Sequence, residues 1–196
     1  MIRLFDILFS AIGLIILSPL FVILWLLIWM ESKGPGLFVQ ERIGLNGKPF
    51  GLYKFRSMRT DSESESLITI GDNDHRITRI GHFIRKYKLD ELPQLLNVLK
   101  GDMSLVGPRP EVRKYVELYT AEQRKVLNVK PGITDYASIE YVNENELLGN
   151  ADDPDRVYVE QVMPKKLELN MRYIQDRSLC QYFKIIFLTL KSIVSI

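Results

Sequence analysis

Residues 7–30 carry only two polar side chains, Ser10 and Ser18. An apolar run of this length exceeds the roughly 20 residues that cross a bilayer as a helix, so part of this chain is expected to enter lipid. A cleaved leader is not expected. The run is too long for the apolar core of a signal peptide, and it continues into Glu31-Ser32-Lys33-Gly34-Pro35-Gly36 with no small-residue cleavage site. The Ser18-Pro19 pair divides the run. Pro19 lacks an N–H and presses on the carbonyl of Ile15, so a kink is expected there. Each arm would then be only about 18 to 22 Å long, less than the roughly 30 Å hydrocarbon core. A helix that re-enters on its own side and a kinked helix that crosses are both open on these residues alone.

The remainder of the 196 residues suffices for one soluble domain. Lys and Arg number 26 against 24 Asp and Glu. This near balance gives no overall field for nucleic acid, so an anion site must be local. The single cysteine, Cys180, excludes an intrachain disulfide and a cysteine-built metal site, as suits a domain facing the cytoplasm. At the other end, Gln181, Lys184, Lys191 and Ser195 fall on one helical face, with Tyr182, Phe183, Ile186 and Leu190 among the apolar residues covering the rest. That pattern fits an amphipathic helix lying in the membrane interface and equally fits a core helix.

Between the two ends, residues 37–43 and 49–56 read as strands of a hairpin turned at Asn46-Gly47, placing Lys54 and Arg56 on one face. A Ser/Glu-rich loop at 60–66 and a turn at Asp72-Asn73-Asp74 lead to a helix at about 78–87. Pro110 is expected to open another helix, Thr120-Ala121-Glu122-Gln123 resembles a capping box, and Pro164 begins a helix toward Tyr173. The acidic stretch 143–155 lacks calcium-loop spacing and reads as a solvated loop.

The chemistry concentrates in the middle. Leu92, Leu95, Leu96 and Leu99 form one apolar helix face, Gly101 suits the stop, and Pro93 is tolerated only in a first turn. Asp90 is therefore expected at or beside the N-cap. There it can simply cap, or it can meet a phosphoryl group at the positive helix end. Neighbouring helix positions point about 100° apart, so Asp90 and Glu91 are expected to have separate tasks. Arg109, held between Pro108 and Pro110, loses little entropy on ordering and suits bidentate phosphate binding. Arg85, about a turn and a half before Asp90, can face the same site.

Tyr53-Lys54-Phe55-Arg56-Ser57-Met58, Arg76-Ile77-Thr78-Arg79, Leu89-Asp90-Glu91-Leu92-Pro93-Gln94-Leu95 and the segment from Lys100-Gly101-Asp102 to Gly107-Pro108-Arg109-Pro110 closely resemble, in this order, the bacterial sugar transferase family, the small monotopic phosphoglycosyl transferases. The resemblance extends from the apolar N-terminus to about Thr134. It implies an α+β, mostly helical, membrane-associated domain with a small β-hairpin, in three parts: a re-entrant membrane helix at 1–32 bent at Ser18-Pro19, a cytosolic catalytic domain at 33–178, and an interfacial helix at 179–196. It further implies that Asp90 attacks the sugar-bearing phosphorus of a UDP-sugar, releases UMP, and passes the phosphosugar to undecaprenyl phosphate, beginning the assembly of a surface polysaccharide or glycan. Glu91 would hold Mg²⁺, and Arg85, Arg109, Lys54 and Arg56 would bind substrate. The implied location is the cytosolic face of the bacterial inner membrane. The partners are then membrane lipid and the two substrates, with no nucleic acid and with a homodimer compatible.

Two departures stand out. Many relatives continue Pro-Gly-Ile-Thr-Gly-Trp-Ala where this chain has Pro131-Gly132-Ile133-Thr134-Asp135-Tyr136-Ala137, and several place Asp where Asn170 stands. Two rival readings make different predictions. A glycosyltransferase that leaves the phosphate behind would release UDP, and an inactive membrane scaffold would lose only stability on Asp90→Asn.

Overall fold

The computed structural model describes residues 1–59, 74–149 and 151–194. The loop expected at 60–66 and the start of the turn at Asp72 lie outside them. Helix α1 is continuous over Ile2–Glu31 and contains Pro19. Continuity has a local cause. The carbonyl that Pro19 cannot bond, that of Ile15, receives the Ser18 hydroxyl at 2.8 Å. The residue before the proline thus supplies the donor that the proline lacks, in a segment where water is scarce.

Hairpin strands β1, Leu37–Ile43, and β2, Pro49–Phe55, pair antiparallel with Leu37 opposite Phe55 and Ile43 opposite Pro49. The turn places Asn46 and Gly47 at positive φ, as the Asn-Gly pair implies. Helix α2, Arg79–Lys86, begins at Thr78, whose hydroxyl accepts from Gly81 N at 2.9 Å. A Cβ at Gly81 would stand 2.0 Å from the Ser57 carbonyl oxygen, so only glycine permits this approach. Next come a 3₁₀ turn at Leu89–Glu91, helix α3 at Gln94–Lys100 ended by Gly101 at φ 96°, and strand β3 at Ser104–Val106. Strand β4, Gly132–Thr134, runs parallel to β3.

Helix α4 covers only Arg113–Glu117. Pro110 and Glu111 stay outside it, because the Ile43 N–H takes the Glu111 carbonyl at 2.9 Å as an extension of the hairpin. The box at Thr120 is reciprocal: Thr120 N donates to Gln123 Oε1 at 2.9 Å and Gln123 N to Thr120 Oγ1 at 3.3 Å. It opens a 3₁₀ run, Gln123–Asn128. Helix α5, Tyr136–Glu140, follows. The acidic stretch is not a solvated loop. It contains α6, Glu144–Gly149, and α7, Pro154–Val157, and it anchors itself through Leu148, 3% exposed in the main core. A π-helical segment, Tyr158–Val162, then joins α7 to α8, Met163–Gln175. Helix α9, Leu179–Val194, closes the fold.

The main core gathers Ile43, Val112, Tyr115, Val116, Val126, Tyr158, Val162 and Leu167. A second cluster sets Leu24 and Ile28 of α1 against Phe55 and Ile84. A third sets Tyr182 and Ile185 of α9 against Val106 and Tyr173. Helix α9 is therefore a core helix on one face, while Phe183, Phe187 and Leu190 stand exposed on another. By length and composition α1 can cross a membrane, and only 11% of its most apolar window is buried. Yet both of its ends are tied to the same domain. Arg3 donates to the carbonyls of Val98 and Leu99, the latter at 2.9 Å, and Glu31 accepts from the N–H groups of Arg79 and Ile80 at 2.7 and 2.9 Å.

Candidate active site

Lys88 sits in the left-handed region, φ 55°, and breaks the chain direction between α2 and the Leu89–Glu91 turn. Pro93, which has no N–H to lose, occupies the N-cap of α3. Asp90 is thus not a helix cap. Its carboxylate is 9% exposed and accepts no hydrogen bond from the described residues. This separates it from the capping role that the same residue type would fill one turn later.

Glu91 is its opposite. It accepts both guanidinium nitrogens of Arg109, Nη1 at 3.0 Å on Oε2 and Nη2 on Oε1, and the Lys54 ammonium at 3.3 Å. Burial would raise its carboxyl, but the charges of Arg109 and Lys54 outweigh that and hold it well below the usual carboxylate range. Asp90 is shifted the other way. Burial and the neighbouring negative charge of Glu91 push it up, opposed by Lys54, Arg85 and Lys88. The two neighbours stand in different surroundings: one carboxylate is bonded to two cations, the other is desolvated and unbonded. Lys54 is lowered by burial, with Glu91 opposing, and Arg109 is raised chiefly by Glu91.

Strand β2 delivers Lys54, and its position against Glu91 is set by a residue the sequence reading passed over. Asn97 of α3, fully buried, accepts from Tyr53 N at 2.9 Å and donates to the Gly51 carbonyl at 2.7 Å. It binds α3 to β2 as a third strand would. A polar residue inside the Leu95-Leu96-Asn97-Val98-Leu99 run was the available signal. Arg109 is aimed by its own loop. Gly107 and Gly132 cross so closely that a Cβ on Gly132 would lie 2.1 Å from Gly107 N, and Arg109 N donates to Asp135 Oδ2 at 3.2 Å. Asp135 is fully buried and also caps α5 through Ser138 N at 2.6 Å. The departure at Asp135-Tyr136 is therefore structural, because Tyr136 in turn bonds Gln181 of α9.

Arg42, also missed, braces the same loop from β1 by donating to the Pro110 carbonyl at 3.2 Å and to Glu111 at 3.5 Å. Glu111 accepts from Tyr158, and Lys166 pairs with Glu144 at 2.8 Å beneath the Tyr158 ring. Glu144 contributes to raising Arg109, so the folded acidic stretch borders the site. Asn170 is buried in α8 with its carbonyl oxygen unpartnered.

Arg85, in the last turn of α2, has no ion-pair partner among the described residues and is near enough to lower Asp90. Arg56 does not join this group. Its guanidinium donates to the Ser32 carbonyl at 2.7 Å, Ser32 Oγ at 2.9 Å and the Lys33 carbonyl at 2.8 Å, closing the end of α1. Strand β2 stops at Phe55, so the alternation that placed Arg56 beside Lys54 no longer holds. Lys54, Arg85, Asp90, Glu91 and Arg109 are brought together, and Arg56 lies apart from them, bonded to the end of α1.

The model of the bacterial sugar transferase family matches residues 1–195. The chain belongs to that family. A Bacillus subtilis (strain 168) relative, whose name assigns it provisionally as an undecaprenyl-phosphate N-acetylgalactosaminyl 1-phosphate transferase, is 50% identical over 120 residues, 61% of this chain and 67% of its own. A UDP-N-acetylgalactosamine-undecaprenyl-phosphate N-acetylgalactosaminephosphotransferase of Aeromonas hydrophila is 40% identical over 97% of this chain. A UDP-glucose:undecaprenyl-phosphate glucose-1-phosphate transferase of Klebsiella pneumoniae is 40% identical over 95% of it. The chain spans 43% and 38% of the length of these last two proteins. In this family member, the motifs common to the sequence reading converge on one pair of carboxylates ringed by cations.

Proposed function

We propose that this chain transfers a sugar 1-phosphate from a UDP-sugar to undecaprenyl phosphate, with release of UMP, through a phosphosugar-aspartyl intermediate on Asp90. The observation that carries the reading is the contrast within one dipeptide, in which Asp90 is buried and accepts no hydrogen bond while Glu91 is bonded to two cations. A carboxylate that gives no electron density to donors, and whose proton affinity is raised, is the better nucleophile.

An Asp90 oxygen attacks the phosphorus bearing the sugar. The bond from that phosphorus to the bridging oxygen breaks, and UMP leaves with its electron pair. An oxygen of the lipid phosphate then attacks the same phosphorus and expels the Asp90 carboxylate. Arg85 and Arg109 hold phosphate oxygens and offset the repulsion between anions, with Lys54 behind them.

The oxygen donors here suit Mg²⁺. Mg²⁺ takes one or two carboxylates and completes its shell with water and substrate phosphate. Glu91 would hold it by giving up a bond to Arg109 or Lys54, which now occupy both of its oxygens, and when bound it would neutralise charge on the diphosphate. Attachment to one face of the membrane is part of the reading. A crossing helix needs its ends on opposite sides of about 30 Å of hydrocarbon, whereas Arg3 and Glu31 both bond one domain. We place that domain on the cytosolic face of the inner membrane, where a nucleotide-activated sugar is available.

The test is UMP release by detergent- or nanodisc-held protein given Mg²⁺, undecaprenyl phosphate and a panel of UDP-sugars. Release that Asp90→Asn abolishes is expected. Release of UDP, or UMP release indifferent to Asp90→Asn, would overturn the mechanism.

A further inference from the structure

At the end of α3 remote from Asp90, a cleft of about 280 Å³ opens between the first turn of α1, the loop before β4 and the start of α9. Arg3, Lys130 and Arg177 line it, together with Asp6, Ser104 and Asn128. Arg3 Nη2 and Lys130 Nζ each lie 3.5 Å from where a Cβ on Gly101 would sit, so they are at most twice that distance apart. None of the three cations has a carboxylate partner among the described residues, whereas Lys54, Arg42, Arg109 and Lys166 all do. The one carboxylate in the cleft is already engaged. Asp6 Oδ1 accepts the Ser104 hydroxyl at 3.0 Å, Leu105 N at 2.9 Å and the Tyr182 hydroxyl at 2.9 Å. Arg3 already donates to the Val98 and Leu99 carbonyls and Asp6 brings one negative charge, so the three cations leave the cleft with a net positive charge that a bound anion would offset.

The surroundings suggest which anion. Phe5 and Phe9 of α1 pack on Phe183 of α9, with ring centroids 5.1 and 6.2 Å from it, so the two helices form one apolar surface beside the cleft. Phe187 of α9 is 68% exposed, as is Leu4 of α1. A cationic cleft at the polar end of an uncovered apolar face matches a phosphate with acyl chains attached.

We infer that this cleft is a second anion site, distinct from the Asp90 centre, that binds a phosphate group, and that at a membrane the occupant is the phosphate of an anionic glycerophospholipid. Seven residues of α3 separate the two sites, so a headgroup held here fixes the height of the domain on the bilayer without entering the reaction centre.

The experiment titrates full-length protein in detergent with micelles containing phosphatidylglycerol, with micelles containing phosphatidylcholine, and with inorganic phosphate. Binding is read from the shift in melting temperature. Lys130→Gln/Arg177→Gln is compared with a control pair of exposed cations elsewhere, Lys125→Gln/Arg156→Gln, and Lys130→Gln alone serves if the double variant melts early without ligand. Phosphatidylglycerol is expected to bind wild type and control equally and the cleft variant about thirtyfold more weakly, at roughly fivefold per charge removed. Inorganic phosphate bound as tightly as the lipid, with the same dependence on Lys130 and Arg177, upholds the phosphate site and assigns it to the free anion. Equal responses of wild type, cleft variant and control to every probe overturn the inference.

Discussion

Replacing Arg56 by Met tests the boundary between the active site and its support. The side chain is 6% exposed and donates to Ser32 O, Ser32 Oγ and Lys33 O at 2.7, 2.9 and 2.8 Å. Methionine keeps much of the stem volume and removes these three bonds together with a longer one to the Ile28 carbonyl at 3.5 Å. Each acceptor left without its charged donor costs about 1 to 3 kcal/mol when buried. Water can reach the exposed Lys33, so the total is set near the low end, at about 3 kcal/mol. For a chain of this size that corresponds to a fall of roughly 6 to 12 °C in melting temperature. The assay is a thermal melt in detergent, paired with KM for the UDP-sugar measured well below the transition. Arg56→Met is expected to lower the melt and leave KM within about twofold of wild type. A variant that melts like wild type while KM rises tenfold or more would refute the reasoning and return Arg56 to the substrate.

Three further outcomes follow from the same geometry. Burial and Glu91 raise Asp90 above its ordinary 3.8, so its ionisation weakens the folded state as pH rises past that value. Asp90→Asn is therefore expected to gain stability relative to wild type between pH 4 and pH 7, as a pair of melts at those pH values would show, whereas a lost cap would give a loss at both. Arg85 lowers Asp90, so Arg85→Gln should move the acid limb of the kcat/KM profile upward in pH, and an unmoved limb would exclude Arg85 from the field at Asp90. Asp135→Ala removes the cap of α5 and the acceptor for Arg109 N. It is expected to cost about 1 kcal/mol of stability and roughly ten- to a hundredfold in kcat/KM, the loss in kcat/KM being the part that capping alone does not explain.

The hairpin was legible because alternation and an Asn-Gly turn both act over a few residues, and the box at Thr120 for the same reason. The 3₁₀ turn at Leu89–Glu91 was not. Pro93 and the leucine face pointed to Asp90 at or beside the N-cap of α3, but Pro93 itself takes that cap and Lys88 in a left-handed conformation turns the chain into a separate 3₁₀ turn that holds Asp90; nothing local to Lys88 demands that conformation. The acidic stretch misled in the opposite way. Its carboxylates argued for solvent, yet Leu148 in the core and the partnership of Glu144 with Lys166 fold it. Asp90, Glu91, Arg85, Arg109 and Lys54 were legible as a group, and the fold brings them together. Asn97 and Arg42, which hold two of them in place, depend on contacts across the fold that spacing along the chain does not encode.

Helix α1 shows how one element can serve both the membrane and the chemistry. Its exposed side, with Ile15 and Ile16 at 74% and 69%, offers lipid a surface that water would penalise. Its covered side places Leu24 and Ile28 against Phe55 and Ile84, directly behind β2 and α2. Those are the elements that carry Lys54 and Arg85. Its first turn holds the far end of α3 through Arg3, and its last residue caps α2 through Glu31. Shifting α1 would thus shift α2 and α3 together, and with them the Leu89–Glu91 turn between them. Anchoring in lipid and positioning of Asp90 are in this way one mechanical task. A shift of α1 at its first turn would break the Arg3 bonds to the end of α3, and one at its last turn would break the Glu31 cap of α2, which carries Arg85.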